Sequence, residues 1–367
     1  MFKSDYFKII ALFLTWRIFI FALAFLSPLV IPKFGATFPY YEDRLIGSGL
    51  PHFLWSFGNF DGVHYLGIAK VGYAYQFTQA FFPLYPIIIK LTSFAFFGNL
   101  LLSALIISNT LFLVGLIFFF KLIKENFSSK TAYWSIIFLL SFPTSYYFGS
   151  VYTEGLFFAL ITISFYLAQN NKTFLASIFG SFASGTRLIG LFLAPGLFLI
   201  KNLKNKYFLL LIPLGLVLYM VYLKLQFNNP IYFLTSQEIF GQARSTTKVI
   251  LLPQVYYRYF QIIITTSGLP LYNAIFELVC ATFALAVLLF NYKKIKKEWL
   301  VFSLLSIITP TLTGTFASMP RYVLLAFPLF IYLAQLKNKT IKIIILMLFI
   351  SSLCVATTLF TQGYWVA

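Results

Sequence analysis

Apolar residues in this chain fall in unbroken runs of about 20 rather than in alternation or helical stripes, and the runs recur along its whole length. A helix of that length crosses the ~30 Å hydrocarbon core of a bilayer. Runs are expected to form helices over residues 7–27, 99–120, 131–147, 155–168, 174–200, 207–225, 271–290, 299–316, 322–336 and 343–360. The pattern predicts an all-α polytopic membrane protein with about ten or eleven transmembrane helices. Two stretches between runs are long, 28–98 and 226–270. In the first, residues 50–57 and 62–71 have the mixed spacing of short helices lying at the membrane interface. Residues 80–98 are apolar but open on Phe81-Phe82-Pro83-Leu84-Tyr85-Pro86 and contain Lys90, so an interfacial or re-entrant helix is expected there rather than a crossing. Gly185-Thr186-Arg187 interrupts the run 174–200, which predicts two short helices meeting near it. No soluble segment, heptad run or short repeat separates these elements, and residues 1–367 read as one integral membrane domain.

Composition agrees. The chain is 60% hydrophobic and 10% charged, where a soluble domain carries roughly a quarter charged residues. The net charge of +18 would suggest nucleic acid in a soluble protein. Here the lysines cluster between runs, at Lys3 and Lys8, Lys121 to Lys130, Lys201 to Lys206, Lys293 to Lys297 and Lys337 to Lys342. That is the positive-inside pattern. It predicts a cytoplasmic N-terminus and puts both long loops on the non-cytoplasmic face. The first run has no small-residue cleavage site behind it and reads as a retained span. Cys280 and Cys354 both fall in apolar runs, which excludes a disulfide framework and argues against a zinc site.

The same topology collects Glu42, Asp43, Asp61, His64, Glu154, Arg187, Glu238, Arg244 and Arg321 on the outer side. Ionisable groups at a membrane edge are costly and mark function. Asp61 opens an expected interfacial helix, where a carboxylate is an accessible general base; its plain alternative is a helix N-cap. His64, three residues on, shares that face and suits a phosphate or a sugar hydroxyl, the alternative being simple packing. Glu154 follows Tyr146, Tyr147 and Tyr152 at an expected helix start; it reads as a sugar or acceptor contact beside aromatic rings, or as compensation of the helix dipole. Arg187 and Arg321 suit phosphate, because a guanidinium forks onto phosphate oxygens; structural pairing is the alternative. Arg17, midway through the first run, requires a polar partner, and Glu277 reads as structural. Phosphate-loop, HExxH and GxSxG motifs are absent.

The stretch Asp61-Gly62-Val63-His64-Tyr65-Leu66-Gly67-Ile68-Ala69-Lys70-Val71-Gly72-Tyr73, followed by Ala80-Phe81-Phe82-Pro83-Leu84-Tyr85-Pro86, resembles the first-loop signature of one family. That family is the second mannosyltransferase of glycosylphosphatidylinositol-anchor assembly (PIG-V-like), with its prokaryotic relatives. Tyr152-Thr153-Glu154-Gly155-Leu156-Phe157, Gly185-Thr186-Arg187, Pro320-Arg321-Tyr322 and Phe327-Pro328 are similar to its later motifs, in order. Phe60 and Thr153 depart from it, where the family often has Trp and Ser.

The resemblance implies the GT-C glycosyltransferase fold with its site on the non-cytoplasmic face. It implies inverting transfer of a sugar, mannose first, from a polyprenyl-phosphate donor to a glycolipid, glycan or protein acceptor. Asp61 would be the catalytic base. Arg321, Arg187 and His64 would bind the donor phosphate, and Glu154, Tyr152 and Tyr65 the sugar or acceptor. No cofactor is required; a divalent metal is compatible with such a site but not demanded by it. The reading from a different class is a lipid or solute transporter, which also buries charges in a helical bundle, but the chain shows one interrupted run and no matching counterpart.

Overall fold

The computed structural model describes residues 2–36, 38–240, 244–245 and 248–366, with Phe2 and Lys3 as backbone only. The Lys3 side chain and residues 241–243 and 246–247 of the second long loop lie outside that description. All regular structure among the described residues is helical.

Five helices are long and apolar enough to cross a membrane: Ser4–Val30, Leu100–Asn126, Lys206–Phe227, Gly268–Phe290 and Lys339–Thr361. The other expected crossings are shorter. Ser129–Ser141 has 13 residues, Glu154–Gln169 has 16 and Pro328–Gln335 has 8. Local chemistry sets these ends. Phe142, before Pro143, takes the extended backbone that a following proline imposes, and the Ser129–Ser141 helix stops there. Gly185 ends Thr173–Ser184, and the chain restarts as Leu188–Phe192 and Leu193–Phe198, the interruption expected around Arg187. Side-chain caps start others: Asn99 accepts from the Leu102 amide, Ser128 from Thr131 and Asn338 from Ile341.

Contacts divide the chain into two compact units, each described by itself. The first comprises residues up to Ala74, Pro83–Tyr166 and Phe330–Val366. Its frame is the first span packed on Leu100–Asn126, Ser129–Ser141 and Lys339–Thr361. Phe112 stacks on Phe148 at 4.1 Å with Trp16 edge-on at 5.4 Å, and the Trp16 indole donates to Ser145 Oγ at 3.1 Å. On this frame lies the first loop, with short helices Tyr41–Arg44, His52–Trp55 and Asp61–Val71. Leu84–Ser93, 10 residues and too short to cross, packs on both Asp61–Val71 and Leu100–Asn126.

The second unit comprises Tyr75–Phe82 and Leu167–Leu329. Thr173–Ser184 packs on Leu214–Phe227, where Ser184 Oγ donates to the Ile212 carbonyl at 2.6 Å. Residues 75–82 are held by Tyr219, whose hydroxyl donates to Gln79 O at 2.7 Å, and by Phe233 against Phe82. The expected loop 226–270 contains a further helix, Leu252–Thr265. It buries Val255 and Tyr259 and exposes Tyr257, Phe260 and Ile264. A one-sided helix of this kind has no continuous apolar run to reveal it.

Candidate functional site

In the first unit the chain enters the Asp61–Val71 helix through Phe60, whose backbone stands at φ 58°, ψ −114°. A non-glycine residue there costs on the order of 1–3 kcal/mol and persists only where packing holds it. Phe60 is buried against Phe38 at 4.6 Å, Trp365 at 5.1 Å and Phe360 at 5.7 Å. Phe60 therefore occupies the cap position, and Asp61 is the first helical residue rather than the N-cap. Asp61 remains half-buried, in the helix turn that favours a negative side chain.

His64 is half-buried one turn on. Burial pushes its imidazole below the usual 6.5, and Arg44 adds to this while Asp61 opposes it. Arg44 arrives from the Tyr41–Arg44 helix: its Nη1 donates to the Val63 carbonyl at 2.7 Å and its guanidinium covers the Tyr40 ring at 4.3 Å. Neighbouring Glu42 and Asp43 are exposed.

The second motif packs under the first. The Val151 amide donates to the Phe57 carbonyl at 2.9 Å, and the Tyr152 hydroxyl to the Asn59 carbonyl at 2.8 Å. Asn59 Nδ2 donates to the Phe360 carbonyl at 2.8 Å, which ties the loop to the end of the last helix. Glu154 is the first residue of its helix and fully buried, as is Tyr152. Tyr65 is buried edge-on to Tyr85 at 5.3 Å, and Tyr85 reaches Ser108 Oγ at 2.7 Å. Arg17 finds the partner that its place in the span required. Its Nη2 donates to the Gly149 carbonyl at 3.0 Å, an acceptor shared with Asn109, and its guanidinium faces the rings of Phe21 at 4.0 Å and Phe57 at 4.6 Å.

The first unit thus unites Asp61, His64, Tyr65, Tyr152 and Glu154, with Asp61 and His64 partly open to solvent and the other three beneath. In the second unit Arg187 has extended backbone and is half-buried, its guanidinium 5.1 Å from the Tyr322 ring centre. Arg321 is buried in the short helix Met319–Val323, entered through Ser318 at φ 64°. Arg187 and the Arg321 segment therefore meet. Arg44, Asn59 and Arg258 escaped the sequence reading. Each bonds a carbonyl distant in sequence, and no local motif announces such a bond. Among the described residues no group of three His, Cys, Asp or Glu side chains could hold a metal ion.

All regular structure among the described residues is helical and five helices can cross a membrane, a fold consistent with the polytopic GT-C-like class of glycosyltransferases. The family follows from comparison: the model of the mannosyltransferase (PIG-V) family matches residues 6–215, more than half of the chain, and the chain belongs to that family. The match includes Asp61, His64, Glu154 and Arg187 and stops before Arg321. A protein of Drosophila pseudoobscura pseudoobscura, GPI mannosyltransferase 2, is 30% identical over 174 residues. The aligned segment is 44% of this chain and 36% of that protein, so the chain spans about a third of its relative's length. No solved structure matches.

Proposed function

We propose that this protein is an inverting glycosyltransferase that moves a sugar, mannose first, from a polyprenyl phosphate to a hydroxyl acceptor on the non-cytoplasmic membrane face. The observation that supports it most is Asp61, half-buried at the head of a loop helix and aimed by the constrained Phe60 backbone, in a chain of the PIG-V family. Asp61 takes the acceptor proton as the acceptor oxygen bonds to the anomeric carbon. The bond from that carbon to the phosphate oxygen breaks on the opposite side, and its electron pair leaves with the lipid phosphate. One displacement inverts the centre without a covalent intermediate. His64, held neutral near pH 7 by its burial, donates an N–H to the phosphate; Arg187 and Arg321, in the second unit, are proposed to bind the same class of group, a lipid-linked phosphate. Tyr65, Tyr152 and Glu154 are assigned to the floor on which sugar or acceptor rests.

The test is transfer of label from polyprenyl-phosphate mannose in membranes. Asp61→Asn should lower turnover by roughly 100- to 10,000-fold, the usual contribution of a general base, with expression and melting temperature unchanged. Full turnover in that variant would remove Asp61 from the chemistry. Donor that crosses the bilayer unchanged, with no transfer from either protein, would favour the transporter reading.

A further inference from the structure

Lysine outnumbers arginine 21 to 6 in this chain, yet four of the six arginines belong to the second unit and meet one short stretch, 314–322. Arg258 Nη1 donates to the Gly314 carbonyl at 3.1 Å. Arg244 Nη2 reaches Ser318 Oγ at 3.4 Å. Arg187 lies over the Tyr322 ring, and Arg321 belongs to the stretch itself. Gly314, at φ 94°, has no side chain to obstruct Arg258: a Cβ there would stand 2.5 Å from Nη1.

The stretch is built as a rigid platform. Tyr259, buried on the Leu252–Thr265 helix, donates to the Glu277 carboxylate and meets Thr315 Oγ1 at 3.1 Å. The Phe316 amide donates to the Tyr259 hydroxyl at 3.0 Å, and the Ala317 amide to Thr315 Oγ1 at 3.0 Å. The Glu277 carboxylate meets this platform through Tyr259 and Ser318 and lies near enough to Arg244 for their charges to interact. Three guanidinium groups reach this backbone and Arg321 is carried on it; the weak hydration and planar fork of arginine suit phosphate at a membrane edge.

We propose that Arg244 and Arg258 join Arg187 and Arg321 in a cradle for a lipid-linked phosphate, and that the cradle prefers the released monoester to the sugar-bearing diester. The second half rests on the proposed transfer reaction. In that reaction the diester carries one negative charge. When its bond to the anomeric carbon breaks, the electron pair stays on phosphate oxygen and the acceptor proton goes to Asp61. The resulting monoester carries a charge near −2 at neutral pH. Positive charge beyond what the diester needs therefore binds the developing leaving group more tightly than the substrate, which is how binding is turned into rate.

The experiment uses the full chain in phosphatidylcholine nanodiscs and measures direct binding of polyprenyl phosphate, polyprenyl-phosphate mannose and inorganic phosphate. Wild type and Asp61→Asn should both bind the lipid monoester more tightly than the diester. Arg258→Gln and Arg244→Gln should each weaken monoester binding about tenfold, the loss of one charged hydrogen bond, with a smaller effect on the diester. Arg258→Lys should recover part of the loss. Monoester affinity unchanged in both glutamine variants overturns the cradle. Equal affinity for inorganic phosphate reassigns the site to free phosphate and overturns the lipid-linked ligand. If Arg258→Gln loses the Gly314 contact and unfolds, Arg244→Gln, at the longer contact, decides. Intact monoester binding with no sugar transfer defeats the enzymatic reading alone and leaves the phosphate site standing.

Discussion

At the scale of single residues, the first loop depends on groups that the backbone aims rather than on unusual chemistry. Phe60 holds a left-handed backbone because three aromatic rings confine it. Asp61 begins the helix as a consequence. His64 gives this arrangement a pH signature. Its folded state binds a proton less readily than the unfolded chain, because burial disfavours the imidazolium. The unfolded state therefore holds more protons just below the usual value near 6.5, and stability must fall as pH drops through it. Melting temperature followed from pH 8 to pH 5 should decline through that window for wild type and less steeply in His64→Asn, where His52, also held below its usual value by burial, still contributes. Parallel curves would place the acid sensitivity elsewhere.

Helices meet in the first unit at glycine contacts too close for any side chain. Gly155, directly after Glu154, meets backbone from two other segments. A Cβ there would stand 2.6 Å from the Phe148 carbonyl oxygen and 2.7 Å from that of Ser108. Both are backbone atoms with no rotamer to give way, so the helix must move. Gly155→Ala should cost about 1–3 kcal/mol, the usual range for overpacking. It should also lower transfer, because Glu154 and Tyr152 shift with the helix start. Thermal unfolding in detergent checks the first part, and an unchanged melting temperature would mean that the helix can withdraw at no cost. Arg17 acts on the same segment through the Gly149 carbonyl. Its burial amid phenylalanine rings, in a span otherwise free of charge after Lys8, is explained by that bond.

Considered whole, the chain is an integral membrane protein whose lysines cluster between its apolar runs. The positive-inside pattern predicts that Asp43, exposed in the first loop, faces outward and that Lys294, exposed between spans, faces the cytoplasm. Cysteine placed by Asp43→Cys should react with a membrane-impermeant maleimide on intact cells. Lys294→Cys should react only after permeabilisation. Cys280 and Cys354, within apolar helices, supply a low background. The opposite labelling pattern would invert the topology and move the proposed site to the cytoplasmic face. The helical membrane class was legible from the sequence because apolar run length is read along one dimension, and so was the Asp61–Tyr73 motif, whose residues are contiguous. The short helices His52–Trp55 and Asp61–Val71 were legible too, but Leu252–Thr265 was not, since its one-sided face leaves a broken apolar pattern. Which groups share a site depended on contacts between distant positions. Arg17 bonds a carbonyl 132 residues away, and Asn59 one 301 residues away. The arginines that reach 314–322 likewise come from separate parts of the chain, at positions 187, 244 and 258. Local propensity carries no term for such pairs, and only the packed chain brings them within hydrogen-bond reach.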